Sequence, residues 1–241
     1  MSRRPRLLDL FCGAGGAAVG YHRAGFDVVG VDIEPQPHYP FEFFQVDAME
    51  VLKWWNLTRY TALMDHGFDA IHASPPCQAY STMGNRSRAE GKRKLPPAPD
   101  LLKATWELLG ATGLPYVMEN VAGAKALMPN AFILSGGMFG LGVHRPRYFV
   151  SNVLILQPAR AKPPKNGIGV YGRDHDGRRL FNRKSNGTYR APRSLEEAQE
   201  AMGMDWADWH GTKEAVPPAY TEYIGAQLLQ HLAPTPERTE P

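Results

Sequence analysis

The sequence predicts an α/β fold, a parallel sheet with helices on both faces. Two observations carry this. Short apolar runs of strand length alternate with segments of helical spacing along most of the 241 residues. A glycine-rich turn joins the first of these runs to the first helix, giving a βαβ unit close to the start of the chain. The composition agrees: 43% hydrophobic and 21% charged residues are ordinary for a globular protein, and 24 glycines with 21 prolines fall below the level of a disordered chain. No apolar run reaches membrane-spanning length. Cys12 and Cys77 fit neither a disulfide framework nor a zinc pattern. A membrane protein, a disulfide scaffold and a zinc finger are thereby excluded, and the length allows one or two domains.

The elements follow in order. A basic start before LLDLFCGAGG resembles a leader peptide, but Asp9 interrupts the apolar stretch, so Leu7 to Phe11 is expected as a retained, buried strand. Ala17 to Ala24 has helical spacing, and Asp27 to Asp32 is a second strand. FEFFQVD (41–47) is strand-like, TRYTALMDHG (58–67) helical, and FDAIHAS (68–74) a strand again. Asp100 to Thr112 is a helix, and Tyr116 to Glu119, AFIL (131–134) and RYFVSN (147–152) are strands. From Gln157 to Pro192 glycine, proline and basic residues break the pattern, which predicts an inserted irregular or small-strand module. Ser194 with Glu197 fits a capping box for a helix ending near Gly203, and 217–232 is a final helix before a frayed tail. Trp54 and Trp55 are expected to pack in the core or on the surface.

Charge is unevenly placed. Residues 85–94 sum to +4 and 144–193 to +10, so with a total of +3 the remaining chain carries −11. Two basic segments on an acidic body suit a polyanion, and nucleic acid is the commonest one.

The glycine loop GAGGAA (13–18) fits G-x-G-x-x-A, with Asp32 nineteen residues after Gly13 at the end of the second strand. Glycines admit close approach of a ligand to backbone, and the carboxylate accepts hydrogen bonds from a ribose. A dinucleotide and S-adenosylmethionine (SAM) satisfy this equally. Later strand ends add chemistry. Ser74-Pro75-Pro76-Cys77-Gln78 places a cysteine in a polar turn beside positive charge, which favours thiolate. Glu119 brings a carboxyl group to the same edge, and Arg145 and Arg147 point to one side. Together they make a nucleophile, an acid and a clamp for an electrophile, which hydride transfer does not need.

Those segments resemble the DNA (cytosine-5) methyltransferase family, in its small phage or bacterial form: DLFCGAGG (9–16), Asp32 after VVGV, Asp47 in QVDA, PPCQAYS (75–81), ENV (119–121), RPR (145–147) and LEEAQEAMG (195–203), in the family's order. The resemblance implies a Rossmann-like SAM-dependent methyltransferase sheet divided into a catalytic part (1–152), a small basic target-recognition module (153–192) and closing helices (193–241). It implies DNA (cytosine-5) methyltransferase activity through a covalent adduct of Cys77 with C6 of a flipped cytosine, the base having no other route out of the stack. Glu119 would hold N3 and the amine; Arg147, with Arg145 behind it, would engage the pyrimidine carbonyl and nearby backbone. Phe11, Gly13, Gly15 and Pro75 would line the SAM pocket, Asp32 would hold the ribose, Ile33 cover the adenine and Asp47 read its amine. Ser81 would contact phosphate, and Arg86, Arg88, Lys92, Arg93 and Lys94 would form a closing lid.

The chain also departs from the family. Val143 stands where a glutamine is usual, and Lys213-Glu214-Ala215-Val216 replaces Gly-Asn-x-Val. The latter leaves open a SAM that carries an extra carboxylate. About forty residues for recognition, with Arg173, Arg178, Arg179, Arg183 and Lys184 as the DNA contacts, imply steep salt dependence and a site of about two to four base pairs, since each base-reading pair discriminates by about 1–3 kcal/mol. Other readings are an RNA substrate such as tRNA and a silent DNA-binding homologue. The expected partner is double-stranded DNA, with no membrane and no metal. A monomer in the cytoplasm of a bacterial or phage-infected cell is expected, either with a restriction partner or as a solitary enzyme.

Overall fold

In a computed structural model, residues 3–55, 67–76, 100–171 and 189–233 are described. The expected helix at 58–67 and the tail fall almost wholly outside them. Strand β1 (Arg6–Leu10) lies third in a seven-stranded sheet whose remaining strands are β2 (Asp27–Asp32), β3 (Glu42–Gln45), β4 (Ala70–Ala73), β5 (Tyr116–Val121), β6 (Phe132–Leu134) and β7 (Arg147–Ser151). Their order is β3-β2-β1-β4-β5-β7-β6. Chain direction through β1 splits between β2 and β4, so a crevice opens beyond the carboxyl ends of these strands.

The expectation of a wholly parallel sheet is corrected at one strand. β1 to β5 pair in parallel, but β7 runs antiparallel to both β5 and β6. The reason is the connection. A parallel return needs a crossover, usually a helix, whereas residues 135–146 hold only a short 3-10 turn at Gly136–Phe139 and reverse the chain.

Alternate residues of the central strands serve opposite faces. Leu7, Ala70 and Val117 pack beneath helices α1 (Gly16–Ala24) and α6 (Pro218–Leu232). Leu8, Ile71 and Met118 face α2 (Ala48–Lys53) and α3 (Leu102–Ala111). Each such fully buried aliphatic contributes about 1.5–3 kcal/mol. α1 and α6 meet closely because glycines line the seam: a Cβ at Gly20 would sit 2.1 Å from the Pro218 carbonyl, and one at Gly225 2.7 Å from Ala24 Cβ.

Two short helices escape periodicity. α2 is one; the other is α5 (Trp209–Glu214), which follows α4 (Leu195–Met202). Each is six residues long and is started by an aspartate side chain, Asp47 accepting from Met49 N and Asp208 from Gly211 N. α4 has the expected cap at Ser194, which accepts from Glu197 N at 3.2 Å. Glu197, however, receives the Arg193 N–H and pairs with Arg190, instead of closing the box on Ser194. It ends at Gly203, φ +74, as read. Within 157–192, β8 (Gly167–Ile168) and β9 (Tyr189–Arg190) form a small parallel pair, and Val143 bridges to Ile168. Trp54 donates to Glu50 at 2.8 Å, and Trp55 packs on Phe68, so both are packing residues.

Candidate active site

The glycine loop leaves β1 through two residues of positive φ, Phe11 at 56° and Gly13 at 49°. A Cβ on Gly13 would meet nothing within 4 Å, so the backbone there faces open space. Asp32, at the end of β2, holds the loop: its Oδ2 accepts from Gly13 N and its Oδ1 from Glu34 N, both at 3.0 Å. Each oxygen keeps a second lone pair for a ligand hydroxyl. Ile33 beside it is 61% exposed, an unusual position for an isoleucine. Gly15 (φ 82) lies under Tyr39 and Pro40, where a side chain would clash. Asp47 is half-buried, with Oδ1 committed to the α2 cap. Trp206, not anticipated, donates to the Ala14 carbonyl at 2.7 Å and ties the loop to the chain after α4. Cys12 is buried, and burial with Asp9 and Asp32 nearby pushes its thiol up, so it is no nucleophile.

At the ends of β4 and β5, Asn120 donates to the Pro75 carbonyl at 3.0 Å and accepts from Val121 N, which fixes the turn before residue 77. Glu119, 6% exposed, lies with Oε1 2.9 Å from Arg147 Nε. The reversal of β7 makes this possible, because Val121 and Arg147 are register partners across an antiparallel pair. Burial lifts the Glu119 carboxyl above its usual range, and the opposing pull of Arg147, a Ser74 hydrogen bond and Arg145 does not cancel that. The site therefore favours a carboxyl group able to hold a proton beside a fixed cation.

Arg145 engages backbone, one of the two kinds of contact that the resemblance implies for the arginine pair. It sits at φ +35, and its Nε, Nη1 and Nη2 donate to the carbonyls of Ala215, Val170 and Lys213 at 2.9, 2.9 and 2.6 Å. It ties the inserted module and the closing segment to the sheet, rather than presenting a free fork to a base. Burial, with Arg147 close by, lowers it to about 9, so it remains cationic at neutral pH. Val143 is buried against α4 and Ile168, so the glutamine's usual place is taken by packing. Lys213 Nζ lies 4.0 Å from Glu214, half-exposed. Cys77, Ser81, Arg86, Arg88, Lys92, Arg93 and Lys94 lie outside the described residues, as do Arg173, Arg178, Arg179, Arg183 and Lys184. Among the described residues no group of three or more His, Cys, Asp or Glu could hold a metal, and no helix is long and apolar enough to cross a membrane.

Comparison with known proteins gives three findings. A family model for C-5 cytosine-specific DNA methylases matches residues 5–128. The type II methyltransferase M.AgeI of Thalassovita gelatinovora is 26% identical over 66% of this chain, and M.XorII of Xanthomonas oryzae pv. oryzae is 32% identical over 50%. The chain spans only 42% and 29% of their respective lengths. A solved structure described as a DNA modification methyltransferase encoded within an E. coli prophage superposes with a TM-score of 0.64, covering 95% of this chain and 99% of its own, at 17% identity. That last likeness concerns the fold alone, a Rossmann-like α/β sheet.

Proposed function

The chain belongs to the C-5 cytosine-specific DNA methylase family, and from this premise we propose that it transfers a methyl group from SAM to C5 of cytosine in double-stranded DNA. The observation that carries the reading is the buried Glu119–Arg147 pair at the crevice edge, on the strand next to the turn that leads into Cys77. The residues of the loop fit the cofactor. The open backbone at Gly13, the remaining lone pairs of Asp32 and the exposed Ile33 suit an adenosine, with Asp47 and Pro75 at its rim. When bound, SAM supplies an electrophilic methyl group. The protein's task is to make C5 nucleophilic. Cys77 adds to C6, C5 takes the methyl group, and loss of the C5 proton to water then expels Cys77. Glu119 gives N3 a proton as charge builds on the ring, and Arg147 holds the carbonyl while keeping Glu119 in place. Arg145 acts by holding backbone. Flipping the base brings it to these groups, and Ser81 with the basic residues of 86–94 closes over phosphate. Residues 153–192 serve as the recognition module, a role supported by their charge and by the small β8–β9 pair.

The test is transfer from labelled SAM to duplex DNA and to tRNA, each with a Cys77→Ala control. Label entering DNA and vanishing in the control supports the reading. Label entering only tRNA, or DNA binding without transfer, contradicts it.

A further inference from the structure

A chain of polar side chains, two of them fully buried, leads to Glu119, and the chemistry above does not use it. Tyr21 on α1 and His72 on β4 have no exposed surface. Tyr21 Oη is 3.0 Å from His72 Nδ1, and His72 Nε2 is 2.9 Å from Ser74 Oγ. Ser74 stands one step beyond the Ala73–Met118 pair of β4 and β5, opposite Glu119 and on the same face as His72, with its hydroxyl close enough to pull the carboxyl down. Burying the Tyr21 hydroxyl and the His72 ring where aliphatic groups would pack, with half-buried Ser74 beside them, carries a desolvation cost that is offset only if every partner is made.

Burial pushes His72 down to about 3, so its ring is neutral, with one donor and one acceptor. The chain can then point in only two ways. If Nε2 accepts from Ser74, the serine has no hydrogen left for Glu119. If Tyr21 donates to Nδ1, Nε2–H donates to Ser74 and the serine hydrogen is aimed at Glu119. The carboxyl group favours the second arrangement, because its Oε1 is buried beside Arg147 Nε with no hydrogen bond directed at it, and a serine hydrogen turned towards Glu119 is the donor it lacks.

We propose that Tyr21 and His72 are positioning residues that act on Glu119 through Ser74, locking the serine hydroxyl as a donor so that the carboxyl group can lend its proton to the pyrimidine. The proposal rests on the function proposed above. The proton leaves the Glu119 O–H for N3 as the sulfur–C6 bond forms, the carboxylate accepts the Ser74 O–H, and the proton returns when that bond breaks. None crosses His72. The other groups facing Glu119 are Arg147 on β7, Arg145 before it and Tyr220 on α6, while Asp9, with Tyr39 beside it, is the register partner of His72 on β1.

The test compares Tyr21→Phe, Ser74→Ala and the double variant. Tyr21→Phe keeps the ring and its packing. Each single variant is expected to lower kcat about tenfold, the effect of one hydrogen bond of about 1.4 kcal/mol. KM for SAM and DNA should hold within about twofold, and the double variant should lose no more than Ser74→Ala alone. Carbon-13 titration of Glu119 is expected to move to higher pH, alike in all three. An unchanged titration, or additive losses in kcat, overturns the relay. A wild-type protein that methylates no DNA overturns the functional reading instead, and the titration, which needs no substrate, still decides the relay.

Discussion

Glu119 and Arg147 lie together across the antiparallel β5–β7 pair, where burial lifts the carboxyl and the cation opposes that lift without cancelling it. Arg145, two residues away, spends its guanidinium on three carbonyls. The two arginines should therefore fail differently. Arg145→Ala is expected to lower unfolding free energy by about 3 kcal/mol or more in urea titrations, as buried carbonyls lose charged donors. Arg147→Ala should lower kcat by about 100-fold with a smaller stability change. Asp9 gives a pH prediction. Burial, then Asp32, raises its carboxyl well above the usual range, against a weaker pull from Tyr39. Its contribution to stability is thus full below ordinary carboxylate titration and is lost as pH rises through the folded value. His72, depressed to about 3, acts in the opposite sense: its contribution is present above 6.5 and lost as pH falls. Comparing wild type with Asp9→Asn by calorimetry across pH cancels the histidine, and the wild type's advantage should shrink as pH rises. At this scale the sequence displayed Glu119, Arg147 and the glycine loop, because motif spacing exposes residues whose chemistry is their own. It did not display His72 and Tyr21. Their roles depend on a contact between α1 and β4 that no spacing reveals, although a histidine within the apolar run FDAIHAS is the one available signal.

At the level of elements, the α1–α6 seam is a contact closed by glycine. A Cβ at Gly20 would meet Thr221 Oγ1 at 2.0 Å and the Pro218 carbonyl at 2.1 Å, whereas one at the exposed Gly110 in α3 would meet nothing within 4 Å. Gly20→Ala is expected to destabilise by about 1–3 kcal/mol or more. Gly110→Ala should stabilise by about 0.5–1 kcal/mol. Both are measured by urea unfolding, and equal effects would contradict the seam. The strands were largely legible, since apolar runs of four to six residues survive in any α/β context. Direction was not legible for β7, because only the short connection at 135–146 sets it. That reversal matters for function: a parallel β7 would carry Arg147 to the far edge of the sheet, away from Glu119. α2 and α5 were missed because six residues hold too few apolar positions to show a period, and their signal was the capping aspartates Asp47 and Asp208.

Across the whole molecule, a net charge of +3 conceals an acidic body and two basic segments, at 85–94 and 144–193. The described sheet gathers the glycine loop, the Pro75 turn and the Glu119–Arg147 pair at one edge, from which residues 77–99 continue. The central claim is that Cys77 attacks C6 of a flipped cytosine. The most direct measurement is mass spectrometry of the protein incubated with SAM and a duplex containing 5-fluorocytosine, whose C5 substituent cannot leave as a proton. A covalent protein–DNA adduct mapped to Cys77 and absent from Cys77→Ala is the expected result; no adduct, or one that persists in Cys77→Ala, would contradict the account.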